Sequence, residues 1–159
     1  MKIFITQISC NYQSEFSRVQ SSEWRYNNHS EKRQHGMTLD TFTEPNWSLI
    51  ESSLELLRSE NGSIQLSTNR KISISIERDV SKQYLVVVDT GPNPMVIIDK
   101  DVRISSEMTG MFGGECLKHN TIDNLDVIAE MLKRYIMHGE FINSEPYVWI
   151  DLNSNDDRF

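Results

Sequence analysis

The stretch Ile64–Asp99 constrains the fold more than any other part of this chain. It contains strand-like runs separated by polar turns, namely Ile64–Ser67, Lys71–Glu77, Gln83–Asp89 and Met95–Asp99. In the second run, Ile72, Ile74 and Ile76 alternate with serines, which is the period of a strand that is buried on one face only. The sequence therefore predicts an antiparallel meander whose apolar face needs a cover.

The third run of this stretch differs from the second. Tyr84–Val88 is apolar at every position, a pattern typical of a central strand that is buried on both faces. The sequence Gly91-Pro92-Asn93-Pro94 follows, and proline and asparagine at these positions favour a tight turn. We therefore expect something to pack over each side of the third strand.

Two amphipathic segments flank the meander. From Asn46 the apolar residues recur every three or four positions, beginning with Trp47 and Ile50, which predicts a helix along the sheet. Thr43 or Asn46 is expected to cap this helix at its start, and Gly62 is expected to close it in the left-handed conformation.

The second helix is predicted from a cap at Asn120 or Thr121 to about His138, with Gly139 closing it. The segment Pro146–Asp151 then returns to the sheet as a last strand. Together these elements predict an α+β fold in which an antiparallel meander sheet of about five to seven strands is packed by two main helices.

The length of 159 residues fits a single domain, 1–159, with one core. Met1–Ile8 reads as a first strand, whereas residues 11–40 are polar and are predicted to form a loop region that includes the exposed segment His29–Gly36. A loop of that length is either functional or disordered. The tail at residues 152–159 is polar and is expected to be frayed.

The net charge of −7 is unevenly distributed along the chain. Residues 1–46 are neutral and residues 47–100 carry −1, whereas residues 101–159 carry five basic and eleven acidic side chains, a balance of −6. An acidic third repels phosphate, so direct binding to nucleic acid is disfavoured, and it attracts a basic protein partner. The alternative is that the charge serves solubility alone.

The cysteines and the apolar runs indicate the compartment. Cys10 and Cys116 lie far apart in sequence and are interpreted as reduced thiols of a cytoplasmic protein. The longest apolar run, Tyr84–Val88, is much shorter than the roughly 20 residues that a membrane-spanning helix needs. The N-terminal apolar run is too short for a signal peptide. We expect a soluble protein without membrane contact.

The sequence carries no strong signature of catalysis. Gly113-Gly114-Glu115 lacks the Lys-Ser or Lys-Thr of a phosphate-binding loop, and Cys116 with His119 is the only close Cys/His pair, whereas structural zinc sites usually show two. No nucleophile elbow or metalloprotease motif is present. We expect no enzyme activity, no cofactor and no metal. Trp149 is either core or a partner hot spot, and its exposure decides between the two.

The order of features is similar to that of the first-numbered immunity-protein family of bacterial polymorphic toxin systems, the contact-dependent growth inhibition type. The likeness covers about Asn46 to Asp151. It rests on the motifs Tyr84–Val88, Gly113-Gly114-Glu115, Leu125–Tyr135, Gly139-Glu140-Phe141 and Pro146-Tyr147-Val148-Trp149. The resemblance implies a small protein without catalysis that binds the C-terminal domain of a cognate toxin in the cytoplasm and neutralises it.

Because many such toxins carry basic grooves for nucleic acid, we expect acidic side chains to face the toxin. The candidate toxin-binding residues are Glu107, Glu115, Asp123, Asp126 and Glu140. The free protein is expected to be a monomer or a weak homodimer. The alternatives are an acidic secretion chaperone, which would be a dimer, and a small hydrolase that uses the region of Cys116 and His119.

Overall fold

Residues 3–12, 29–34, 37–111 and 114–153 are described by the structure, which is a computed structural model. In chain order the strands are β1 Ile5–Tyr12, β2 His29–Gln34, β3 Met37–Thr43, β4 Gly62–Thr68, β5 Ser73–Arg78, β6 Tyr84–Asp89, β7 Met95–Asp99, β8 Met108–Met111, β9 Gly114–Leu117 and β10 Tyr147–Asp151. The helices are α1 Trp47–Leu56 and α2 Leu125–His138, and Lys118–Asn120 forms a 3-10 turn.

The predicted α+β meander is confirmed. Within the described ranges, eight strands form one antiparallel sheet in the order β10-β7-β6-β5-β4-β1-β3-β2, while β8 and β9 pair separately as a two-stranded ribbon. Strands β4 to β7 are consecutive neighbours, as the stretch from Ile64 to Asp99 predicts. The register places Leu66 opposite Ile74 and Ile74 opposite Val88, so the buried residues of adjacent strands share one face.

The prediction of a loop over residues 11–40 is wrong for the described part of that range, because two strands of the sheet lie there and bring it to eight strands, one more than the upper expected number of seven. Strands β2 and β3 form a hairpin there, and β3 pairs with β1 so that Asp40 lies opposite Cys10 and Phe42 opposite Ile8. Asp40 and Phe42 are buried, and the polar side chain of Asp40 hides the alternation that would reveal the strand. Residues 13–28 lie outside the described residues.

Both helices lie on one face of the sheet, and their caps explain where they begin. Asn46 caps α1 as predicted, because its Oδ1 accepts the backbone N–H of Leu49 at 2.8 Å. Helix α2 is capped by Asn124, which accepts from Val127 at 3.1 Å, and the predicted cap at Asn120 or Thr121 is wrong. The chain first forms the 3-10 turn and a backbone bridge before the helix starts.

The two predicted closing glycines behave differently. Gly139 closes α2 with φ of 70°, as expected for the left-handed conformation. Gly62 does not close α1, which ends instead at Leu57 in the right-handed conformation. Gly62 begins β4, where a Cβ atom would lie 2.2 Å from the carbonyl oxygen of Asn11. Glycine is therefore needed there for close approach of two backbones rather than for a helix end.

The core lies between the sheet and the helices. The strand that is buried on both faces is β7, whereas the sequence predicts this for β6. In β6 the buried residues Tyr84, Val86 and Val88 alternate with half-buried ones, so the predicted burial of both faces is wrong for this strand. In β7 three consecutive residues, Val96 to Ile98, are buried. The 3-10 turn lies beside β7, and this neighbour explains why its second face is covered.

The aromatic residues of the C-terminal strand belong to the core. Trp149 is only 7% exposed, which decides against the hypothesis that it is a partner hot spot. Phe141 stacks on Tyr135 with ring centroids 4.6 Å apart and meets Trp149 edge-on at 5.0 Å. These contacts fix the end of α2 against β10.

The tail is expected to be frayed, but its described residues, Leu152 and Asn153, are hydrogen-bonded to the turn before β7. The backbone N–H of Leu152 donates to Pro94 at 3.0 Å, and Asn153 Nδ2 donates to the Pro92 carbonyl at 2.9 Å. Residues 154–159 lie outside the described residues. Across the ranges that the structure describes, no helix is long and apolar enough to span a membrane.

A groove between the helices as the candidate functional site

A groove of about 410 Å³ separates α1 from α2 on the outer surface of the helical layer. Lys133 of α2 contacts Trp47 at the start of α1, and Asp126 at the start of α2 contacts Arg58 just beyond the end of α1. The two helices therefore run antiparallel. Helix α1 and its end contribute the lining residues Trp47, Glu51, Leu54, Glu55 and Arg58. Helix α2 contributes Leu125, Asp126, Ala129, Glu130 and Lys133.

The groove has an apolar floor and a charged rim. Leu54 and Leu125 are buried in the floor, and Trp47 forms a half-buried wall at one end. Four carboxylates and two basic groups line the rim, and all of these charged side chains belong to exposed residues. An apolar base with a few convergent polar groups is the usual composition of a binding site.

At one end of the groove, Arg58 joins the two helices. Its Nε lies 2.7 Å from Glu55 Oε1, and its Nη2 lies 2.5 Å from Asp126 Oδ1. The hydrogen bond to Glu55 is the main reason why the pKa of Arg58 is raised, and the charge of Asp126 adds to it. Because the groups are exposed, solvent screening limits the stability that this contact contributes.

At the other end, Trp47 is held between a carboxylate and a cation. Its indole Nε1 donates a hydrogen bond to Glu51 Oε1 at 2.5 Å. Lys133 Nζ lies 5.6 Å from the centre of the Trp47 ring, within the range of a cation–π contact. The ring is therefore fixed in orientation and already attracts a positive group.

The structure distributes the five predicted toxin-binding residues over three places. Asp126 lines the groove, and Asp123 precedes α2 at the same end. Glu115 lies on strand β9 and Glu107 precedes β8, so both belong to the ribbon region. Glu140 follows the far end of α2, about 20 Å from Asp126 at the rise of a 14-residue helix.

Some of these carboxylates already have partners inside the protein. Lys118 Nζ lies 3.4 Å from Glu107 Oε1, and the hydroxyl of Tyr147 donates to Asp123 Oδ1 at 3.1 Å. Burial raises the pKa of Tyr147, and the hydrogen bond to Asp123 raises it further. The five residues therefore do not form one compact acidic patch, and Asp126 is the member that lines the groove.

Reasoning from the sequence missed a buried carboxylate at the turn between β5 and β6. Asp79 accepts hydrogen bonds from Ser81 N at 2.9 Å, Ser81 Oγ at 2.8 Å, Gln83 N at 2.7 Å and Thr109 Oγ1 at 2.9 Å. The last of these bonds attaches the ribbon to the main sheet. The pattern of an aspartate two residues before a serine could have revealed the turn, but not the contact with Thr109.

The two cysteines lack the features of a reactive thiol. Burial raises the pKa of Cys10 to about 12, against the smaller effect of hydrogen bonds with Ser53 and Tyr12. Burial also raises the pKa of Cys116, whereas a nucleophilic cysteine needs a lowered one. His119 directs Nδ1 to the Ser105 carbonyl oxygen at 2.9 Å. In the described part of the chain, no group of three or more His, Cys, Asp or Glu residues is placed to hold a metal.

Comparisons with protein-family models, with curated proteins and with solved structures found no match for this chain. The resemblance to an immunity family therefore rests on the short sequence motifs alone. The groove between α1 and α2 is the candidate binding surface of the described residues.

Proposed function

We propose that this protein is an immunity protein that binds the C-terminal domain of a cognate secreted or contact-delivered bacterial toxin and neutralises it in the cytoplasm. The observation that carries the proposal is the groove between α1 and α2, whose rim has four carboxylates and two basic groups and whose one end is formed by the aromatic ring of Trp47. Such a surface suits a basic partner, and a toxin domain that acts on nucleic acid offers a basic substrate groove.

The placement of the groove supports a role in binding a folded partner. Both of its walls are helices anchored on an eight-stranded sheet, so the rim is held by rigid elements. Sites built on such elements lose little conformational entropy when they bind. The protein would act by covering the active site of the toxin or a surface beside it.

The acidic residues outside the groove have a second role in this proposal. Glu107, Glu115, Asp123 and Glu140 lie away from the groove or at its margin, and we propose that their charge accelerates association over a distance. Charge reversal of these four residues together with Asp126 should slow association with the toxin at low salt. An unchanged association rate would contradict this role.

The alternative function, a secretion chaperone, predicts a dimer with an exposed apolar helix face. In this structure the apolar stripes of α1 and α2 point into the core, with Leu49, Ile50, Ile128 and Leu132 all buried. This arrangement favours the immunity function. A stable dimer in solution that binds an unfolded segment would favour the chaperone.

Co-expression tests the proposal directly. The proposal predicts that the neighbouring reading frame encodes the C-terminus of a large secreted protein, and that C-terminal domain is the toxin to be tested. We expect cells that express this domain to survive when the chain is co-expressed and to die without it. Survival that does not depend on the chain, or death in its presence, would contradict the proposed function.

A further inference from the structure

We infer that the Trp47 end of the groove binds an arginine side chain of the toxin, which stacks on Trp47 between the carboxylates of Glu51 and Glu130. The identity of the partner rests on the proposed function. The site itself is inferred from a repeat along the groove. At one helical turn an arginine of this chain lies between carboxylates of the two helices, and at the next helical turn two carboxylates face each other without an arginine between them.

The filled turn shows how the groove holds a guanidinium group. Arg58 is bound by one carboxylate from each helix, Glu55 of α1 and Asp126 of α2. A planar guanidinium group with several N–H donors can contact both walls at once, which a single ammonium group does less well.

The neighbouring turn repeats this arrangement of carboxylates. One helical turn back from Glu55 along α1 is Glu51, and one turn forward from Asp126 along α2 is Glu130. Because the helices are antiparallel, these two steps move in the same direction along the groove. Both Glu51 and Glu130 line it, again with one carboxylate on each wall.

Among the described residues, no basic side chain forms ion pairs with carboxylates of both walls at this second turn, and the one basic group that reaches across is Lys133, which lies over the Trp47 ring. Glu130 pairs with Arg134 of its own helix, and the Glu51 carboxylate receives the indole N–H of Trp47. Neither contact bridges the helices as Arg58 does. The second turn therefore has the acceptors of the first turn without an arginine between them.

Trp47 provides the face on which an incoming guanidinium group would stack. Its ring is oriented by the hydrogen bond to Glu51, and Lys133 lies over it at 5.6 Å without an ion pair among the described residues. A single exposed cation–π contact is weak, so Lys133 can be displaced. Arginine is the more suitable occupant because it is planar and less strongly hydrated than lysine.

A model compound tests the site without the toxin. The probe is N-acetyl-arginine amide, and the readout is the NMR resonance of the Trp47 indole N–H, assigned with the Trp47→Phe variant. We expect a saturable shift with this probe and none with N-acetyl-glutamine amide. Glu51→Gln should weaken binding of the probe several-fold, and Lys133→Met should strengthen it because the internal competitor is removed. No shift, or an equal shift with the glutamine probe, would overturn the inference.

The toxin domain provides the second test and separates the two proposals. The Glu51→Gln/Glu130→Gln double variant should lose about tenfold in affinity for the toxin, whereas Asp101→Asn, an exposed carboxylate outside the groove, should not. If wild-type protein rescues cells and the double variant binds as tightly as wild type, this inference fails while the proposed function stands. If wild-type protein does not rescue cells, the proposed function fails, and the probe titration alone decides the arginine site.

Discussion

Two regions of the molecule use carboxylates in opposite ways. At the turn after β5, Asp79 is 1% exposed and accepts four hydrogen bonds, so its bonding capacity is used inside the protein. In the groove, Glu51 is exposed and receives the indole N–H of Trp47. The difference indicates that the first region stabilises the fold, while the second keeps its charge accessible to a partner.

Replacement of Asp79 by alanine should give the largest loss of stability. The substitution leaves the buried Thr109 Oγ1 and the half-buried N–H of Gln83 without their acceptor, and the ribbon of β8 and β9 loses an attachment to the sheet. We expect a loss of roughly 3 kcal/mol in the free energy of unfolding, measured with urea. Asp89→Ala is the control, since Asp89 is exposed and accepts from Gly91 at the next turn. Equal losses for the two variants would show that Asp79 has no special structural role.

The groove should differ from the turn at Asp79 in that its main effect is on binding. Trp47→Ala should weaken toxin affinity by roughly 2 kcal/mol, about 30-fold in Kd, because a half-buried aromatic ring in a contact is a typical hot spot. Phe4→Ala removes an aromatic ring that is 54% exposed and lies outside the groove. This control should leave Kd unchanged in isothermal titration calorimetry, and an equal loss for both variants would contradict the assignment of the groove.

Cys10 is a buried thiol that is neutral at physiological pH. Burial raises its pKa from 9.0 to about 12, so its contribution to stability is complete below pH 9 and is lost as the pH rises toward 12. Between pH 7 and 9.5, wild type should lose roughly 1 kcal/mol more than Cys10→Ala. Urea unfolding at both pH values measures the difference, and parallel pH dependences for the two proteins would contradict it. Burial also raises the pKa of Tyr12, so some alkaline destabilisation remains in the variant.

Arg78 is a buried basic residue directly before Asp79 in the chain. It is 7% exposed, and its buried Nε finds no hydrogen-bond partner among the described residues. A buried N–H donor without an acceptor opposes folding, so Arg78→Met should raise the free energy of unfolding by about 0.5 kcal/mol. Arg70→Met, at an exposed position, should change it little. A loss of stability for Arg78→Met would mean that the guanidinium group stabilises the fold.

The parts of the fold that local patterns encode could be predicted from the sequence. The alternation of Ile72, Ile74 and Ile76 gave the meander, and the side chain of Asn46 and the backbone of Gly139 mark helix ends through contacts within a few residues. These features depend on spacing along the chain, which the sequence displays directly.

The hairpin of β2 and β3 and the start of α2 could not be predicted in this way. Asp40 is buried in β3 opposite Cys10, and this pairing depends on residues 30 positions apart in the sequence. Ile122 is held in an extended bridge to Tyr84, which delays the helix beyond its predicted cap. In both places a contact between distant segments decides the local structure.

The candidate site was only partly accessible to sequence reasoning. The excess of acid in the C-terminal third led to Asp126, which lies in the groove. Glu51 and Glu130 come from different helices, and their placement on facing walls requires the antiparallel packing of α1 on α2. Glu115 and Glu140 are predicted from charge alone, and neither belongs to a helix that forms a wall of the groove.

Hydrogen–deuterium exchange of the protein with and without the toxin domain tests the central claim most directly. We expect the toxin to slow amide exchange in α1 and in the first three turns of α2, where both walls of the groove lie. Exchange in the ribbon of β8 and β9 should change little. Protection confined to the ribbon or to β10 at the edge of the sheet, with both helices unchanged, would contradict the assignment of the groove as the toxin-binding site.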